Sequence, residues 1–205
     1  MSVVVLISGR GSNLQAILGA GVAVSGVISN EAGARGLEIA ARHGVPTRVV
    51  EHRGYASRER FEAALAADID RFAPELVALA GFMRILTSGF VERFAGRLVN
   101  IHPSLLPAFP GLDTHERALA AGVKLHGCTV HFVTADLDHG PIIVQAAVPV
   151  RAGDTADTLA ARVLRQEHQV YPRAIRWFLE DRLVIENGVV RVLGNDAQLV
   201  YSDRE

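Results

Sequence analysis

Short apolar runs alternate with stretches of helical period through the first hundred residues, and this alternation leaves few folds open. Residues 3–7, 22–29, 47–50, 76–80 and 98–101 are rich in the Val, Leu and Ile of strands. Helical patterns at 14–20, 35–43, 57–72 and 88–94 separate them. In 57–72, Arg60, Phe61, Ala64, Leu65 and Ile69 lie on one amphipathic face, Ser57 stands as N-cap, and Pro74 ends the helix. Continuous apolar strands joined by helices are buried parallel strands covered on both faces. Right-handed crossovers then give an α/β fold with an open, mostly parallel, Rossmann-like sheet.

The pattern changes after His102. Pro103, Pro107 and Pro110 forbid a helix and predict an ordered turn. A short helix follows, with Thr114 as N-cap and Gly122 just past its end. Two longer strands, 127–133 and 142–150, extend the sheet and flank a polar loop around Asp138. A long helix spans 155–179, with a kink expected at Pro172. Residues 183–186 and 189–193 flank Asn187-Gly188, which suits the type I′ turn of a β-hairpin. No repeat, low-complexity stretch or linker interrupts the chain, which predicts a single domain over 1–205.

With 49% apolar and 21% charged residues, the composition excludes long disordered tracts. A net charge of −1 gives no electrostatic reason to expect nucleic acid or an anionic membrane. The lone cysteine, Cys128, excludes a disulfide framework and a cysteine-based metal cluster. Six apolar residues before Ser8-Gly9-Arg10 are too few for a signal peptide or a membrane helix, so a cytoplasmic protein is expected. Lys124 is the only lysine, which leaves Schiff-base chemistry a single candidate.

Three segments carry chemistry. The first strand runs into Gly9-Arg10-Gly11-Ser12-Asn13-Leu14 and a helix, and backbone amides there form an anion site aided by the helix dipole. A dinucleotide fingerprint needs a small residue where Leu14 stands, so a phosphate monoester on Gly11, Ser12 and Asn13 fits better, although Glu31 mimics a ribose-binding acid. A plain strand-to-helix turn is the alternative. Asn100 and His102, two apart at the carboxyl end of the fifth strand, point to one side, where ligands of open α/β sheets bind. An amide donor beside an imidazole supplies an oxyanion partner and a proton carrier, as acyl transfer requires. Asp138, near His102, would favour the imidazolium; alone, Asp-x-Gly-Pro is also a good turn. His102, His115, His126, His131 and His139 crowd one stretch without a metal-ligand spacing, and strand parity puts His126 and His131 on opposite faces. No metal is expected.

Together the segments 4–18 (VVLISGRGSNLQAIL), 80–86 (AGFMRIL), 96–107 (GRLVNIHPSLLP), 109–112 (FPGL), 126–141 (HGCTVHFVTADLDHGP) and 166–172 (QEHQVYP) resemble the phosphoribosylglycinamide formyltransferases, folate-dependent enzymes of purine synthesis. The resemblance implies 10-formyltetrahydrofolate as co-substrate, glycinamide ribonucleotide as acceptor, and a monomer or homodimer. It implies a phosphate-binding half, 1–100, and a folate-binding and catalytic half, 101–205. Gly11, Ser12 and Asn13 would hold the phosphate and Glu167 the ribose. Met83, Arg84, Ile85 and Leu86, with Val133, Asn100 and Asp138, would bind the folate, and Arg58 its glutamate carboxylate. Asn100, His102 and Asp138 would be catalytic. Leu164 and Ala135 depart from the family pattern near the phosphate and in the folate loop. A methionyl-tRNA formyltransferase would add an RNA-binding domain and basic surface, and a formyltetrahydrofolate deformylase an N-terminal domain; neither is expected. A nucleotide-binding module without catalysis would leave Asn100, His102 and Asp138 without purpose.

Overall fold

The computed structural model describes residues 1–202. The chain divides into two compact units, Met1–Asn100 and Ile101–Glu205. In the first, β1 (Val3–Ile7), β2 (Val24–Ser29), β3 (Thr47–Val49), β4 (Leu76–Leu79) and β5 (Leu98–His102) lie in the order β3-β2-β1-β4-β5, every pair parallel. Central β1 is buried throughout, as a strand covered on both faces must be. The helices α1 (Ser12–Gly19), α2 (Arg35–Arg42), α3 (Arg58–Asp70) and α4 (Ser88–Arg93) connect these strands in the predicted alternation. Ser57 caps α3 by accepting from the Arg60 amide, and Phe61, Leu65 and Ile69 are the buried face of that helix.

The second unit opens with the last two residues of β5, Ile101 and His102, and an irregular strap, 103–113, in which the Leu106–Pro107 peptide is cis. It continues with α5 (Thr114–Ala120), the antiparallel pair β6 (Leu125–Phe132) and β7 (Ile142–Pro149), and α6 (Ala156–Leu179). Val163, Val170, Tyr171 and Ile175 of α6 are buried, as are Val130, Val144 and Val148 of the two strands. Thr155 caps α6 in a reciprocal capping box with Thr158, and the helix runs on through Pro172. The hairpin β8 (Leu183–Glu186) and β9 (Val189–Val192) turns at Asn187 and Gly188, both with positive φ, as the type I′ turn demands. Parallel pairs dominate the fold, which is of the α/β class.

Two local expectations are corrected. The N-cap of α5 is Asp113, not Thr114; the Thr114 hydroxyl instead donates to the Pro103 carbonyl, a contact across the strap. A short strand, β10 (Leu199–Tyr201), pairs parallel with β7 where no strand was expected. The β6–β7 ladder also shifts register between Val130 and His131, the extra residue being Ile143 on β7, so β6 itself runs on without an insertion. Among the described residues, no helix is long and apolar enough to cross a membrane.

Candidate active site

His102 ends β5 with its side chain almost closed to solvent. Its Nδ1 lies 3.5 Å from Oδ2 of Asp138, whose carboxylate is also buried. Its Nε2 lies 3.0 Å from the Phe109 carbonyl oxygen. A carbonyl only accepts, so Nε2 carries a proton in this arrangement. The carboxylate beside Nδ1 supplies the counter-charge that a doubly protonated ring needs. Asp138 is itself anchored, because its Oδ2 accepts from the Gly111 amide at 2.8 Å. One strap therefore touches both partners: Phe109 through its carbonyl and Gly111 through its N–H. Phe109, Gly111 and Asp113 all have positive φ, which glycine adopts freely but which strains Phe109 and Asp113 unless their surroundings impose it.

Other imidazoles complete the surroundings. His131 donates from Nδ1 to the Phe132 carbonyl at 2.9 Å, and its Nε2 lies 3.9 Å from Oδ1 of Asp138. Burial lowers its pKa, against the pull of the Phe132 carbonyl and Asp138. His126 and His115 share a hydrogen bond of 3.2 Å between Nε2 and Nδ1. Burial, then the neighbouring His115, pushes the His126 pKa down to about 4, and burial also lowers that of His115. Both are thus neutral neighbours of His102. The two backbone groups of the strap escape the sequence reading, because backbone groups leave no side-chain signal, and His131 figures there only as a metal candidate.

The remaining expected residues fall as follows. Asn100 stands two residues before His102 on β5, paired with Leu79 of β4. Gly11 is the N-cap of α1, with positive φ and no acidic residue in the first helical turn; Asn13 is buried there. Arg58 opens α3 and is exposed. In the first unit, segment 83–86 is held at both ends. The Met83 amide donates to the Ser8 hydroxyl at 2.7 Å, and the amide of Thr87 donates to buried Glu62 at 2.9 Å. Between these anchors Met83 and Ile85 leave 71% and 64% of their surface exposed, an apolar ledge. Glu167 is buried on α6, close enough to Cys128 that its charge adds to burial in raising the thiol's pKa. Val133 is half-buried at the start of the loop that leads to Asp138. Glu31 lies 3.7 Å from both His52 and Arg53. Among the described residues, no group of three His, Cys, Asp or Glu side chains is placed to hold a metal ion.

A carboxylate–imidazole pair past the carboxyl end of a parallel strand, in an α/β fold, is the equipment of a group-transfer or hydrolytic catalyst. The chain belongs to the formyl transferase family, whose model matches residues 1–175. It is 53% identical over 189 residues to the phosphoribosylglycinamide formyltransferase of Escherichia coli K12, covering 89% of each chain. Among solved structures, glycinamide ribonucleotide transformylase 1 of Symbiobacterium toebii superposes with a TM-score of 0.92 at 52% identity, covering 95% of this chain and 94% of that one. The phosphoribosylglycinamide formyltransferase of Anaplasma phagocytophilum gives 0.94 at 44% identity, covering 99% of both.

Proposed function

We propose that this chain transfers the formyl group of 10-formyltetrahydrofolate to the amine of glycinamide ribonucleotide, in the cytoplasm and as a step of purine synthesis. The observation that carries the reading is the buried His102–Asp138 pair at the end of β5, in a chain so close to named transformylases. The chain acts as a single formyltransferase domain over 1–205, on small molecules alone, as a monomer or homodimer. The ribonucleotide amine attacks the formyl carbon, the bond from that carbon to the folate nitrogen breaks, and the proton the amine loses leaves through a water organised by Asp138. His102, kept as an imidazolium by Asp138, gives its proton to the departing folate nitrogen. Asn100 donates to the oxyanion that forms at the formyl carbon. One such donor is typically worth roughly 3–4 kcal/mol, and positioned proton transfer about 10²–10⁴-fold. No metal takes part.

Gly11, Ser12 and Asn13 at the start of α1 hold the acceptor's phosphate, which suits a helix N-terminus free of acidic side chains. Glu167 accepts from the ribose hydroxyls. The exposed ledge of Met83 and Ile85 suits a flat pterin, and the backbone of 83–86 suits its polar edge, with Val133, Asn100 and Asp138 contributing. Arg58 faces the glutamate carboxylate. The test is an assay with 10-formyltetrahydrofolate, glycinamide ribonucleotide and water as competing acceptors. Formylated ribonucleotide with negligible hydrolysis is expected. Hydrolysis that ignores the ribonucleotide makes the chain a deformylase instead.

A further inference from the structure

Behind His102 a second polar cluster sits entirely among β6, β7 and the strap. The Thr129 hydroxyl, on β6 and fully buried, donates to the Ser104 carbonyl at 2.7 Å. It accepts from the Leu106 amide at 3.0 Å and from Nε2 of Gln145, on β7, at 2.9 Å. One donor and two lone pairs are a hydroxyl's whole capacity, and all are used. The Gln145 amide makes a second bond, to the Leu106 carbonyl at 2.9 Å. Ser104 completes the fastening, its hydroxyl donating to the Ala108 carbonyl at 2.6 Å. The next residue is Phe109, whose carbonyl receives the proton-bearing Nε2 of His102. Two residues further on, the Gly111 amide holds Asp138.

We infer that Thr129 and Gln145 are positioning residues of the transfer reaction, which clamp the strap so that Phe109 and Gly111 present their backbone groups to His102 and Asp138. The inference rests on the proposed role of His102 as proton donor. Neither residue touches a reacting atom in this scheme. The strap needs such a clamp because Phe109 and Asp113 sit at positive φ, a conformation that costs energy unless it is imposed from outside. The ring so held faces Asp138, the neutral imidazoles of His126 and His131 from β6, and His115 from α5. Apart from Asp138, these neighbours add no negative charge. Loss of the Phe109 acceptor therefore leaves Asp138 alone to keep the ring protonated.

The experiment compares Thr129→Val, which removes all three hydrogen bonds at nearly constant volume, with Thr129→Ser, which keeps them. Thr129→Val is expected to lower kcat by about ten- to a hundredfold, the scale of a small misplacement of reacting groups, while both KM values change less. Its kcat should also fall at a lower pH than in the parent enzyme. Thr129→Ser should restore the parent's kcat and pH profile. Gln145→Met keeps the Thr129 hydroxyl, reads the clamp should Thr129→Val not fold, and is expected to show a weaker loss of the same kind. A folded Thr129→Val with the parent's kcat and pH profile overturns the inference, as does equal impairment in Thr129→Val and Thr129→Ser. His102→Ala, measured alongside, separates the two ideas. If it keeps the parent's kcat, the proton-donor reading falls and the clamp with it; if it is crippled while both clamp variants are normal, only the clamp falls.

Discussion

Gly11 and Gly36 meet backbone to backbone: a β-carbon built on Gly11 would stand 2.5 Å from the Cα of Gly36. The Gly36 amide also donates to the Gly9 carbonyl at 3.0 Å, so the start of α2 is tied to the turn that begins α1. Gly11 has a φ of +76° as well, and a side chain there is strained even without the clash. On Gly36 an added β-carbon meets the Cδ1 tip of buried Ile7 at 2.5 Å and the Gly11 Cα only at 3.2 Å, and no positive φ adds strain there. Gly11→Ala is therefore expected to cost about 2–4 kcal/mol of stability, strain and overpacking together. Gly36→Ala should cost clearly less. Urea unfolding of the two variants checks the order, and the reverse order would show that the turn relaxes in a way the contact does not suggest.

Asp154 and Arg162 form a buried two-pronged pair at the start of α6, with contacts of 2.7 and 2.9 Å. The Arg162 hydrogen bonds hold the Asp154 carboxyl far below the usual carboxylate range, against the cost of burial. A carboxyl whose folded value is depressed stabilises the fold above its unfolded value, near 4, and loses that contribution as the pH falls further. Asp154→Asn is expected to cost roughly 2 kcal/mol at neutral pH. Thermal melts from pH 7 down to pH 2 should show the gap between variant and parent narrowing below about pH 4. A gap independent of pH would mean that shape, not charge, is what the pair provides.

How much of this was legible beforehand depends on how local the cause is. The strands of the first unit declare themselves, because Val3, Val4, Val5, Leu6 and Ile7 are apolar in succession, and no exposed strand is built that way. The Asn187-Gly188 turn is equally plain, since few residue pairs accept two positive φ values. The cap of α5 was misplaced because the Thr114 hydroxyl answers to Pro103, eleven residues away. No window around residue 114 contains that fact. The bulge opposite Val130 and His131 is similar: it lies at Ile143 on β7 and depends on a partner strand that no short window of sequence contains. In the candidate site, His102 and Asp138 announce themselves by chemistry and by position at strand and loop ends. The groups that orient them are a carbonyl, an amide and, behind the strap, Thr129 and Gln145, residues ordinary enough to carry no signal until the fold assembles them.

His126 makes the fold sensitive to mild acid. Its pKa is pushed down to about 4, first by burial and then by His115. The unfolded chain takes up this proton near pH 6.5, the folded chain not until about pH 4. Between those values the unfolded state binds more protons, so stability falls as the pH falls, by up to roughly 3 kcal/mol from this group. His126→Gln cannot titrate and should flatten that slope, even if its stability at pH 8 is lower. Urea midpoints at pH 7.5, 6, 5 and 4.5 test this. Parallel slopes in variant and parent would show that His126 is not the acid-sensitive group.

The last prediction concerns Arg58 and Asn13, both in the first unit, which should separate the two substrates cleanly. Arg58 is exposed at the start of α3, with nothing to shield a contact between its guanidinium and the folate's glutamate carboxylate. Such contacts contribute little and are screened by salt, so Arg58→Ala should raise the KM for the folate only several-fold at low ionic strength. The difference from the parent should fade near 0.5 M salt, where the screening length is only about 4 Å. Asn13 is buried in the first turn of α1, where the proposed anion is a phosphate. Asn13→Asp sets a negative charge against that phosphate and should raise the KM for the ribonucleotide by about fivefold or more, since a like charge about 4 Å away costs about 1 kcal/mol in bulk water and about 4 near a protein surface. Each variant should leave the other substrate's KM near the parent value. Steady-state kinetics with both substrates varied, at 0.05 and 0.5 M salt, decide the matter. Should Arg58→Ala affect the ribonucleotide, or Asn13→Asp the folate, the assignment of phosphate and glutamate to these two helix starts is wrong.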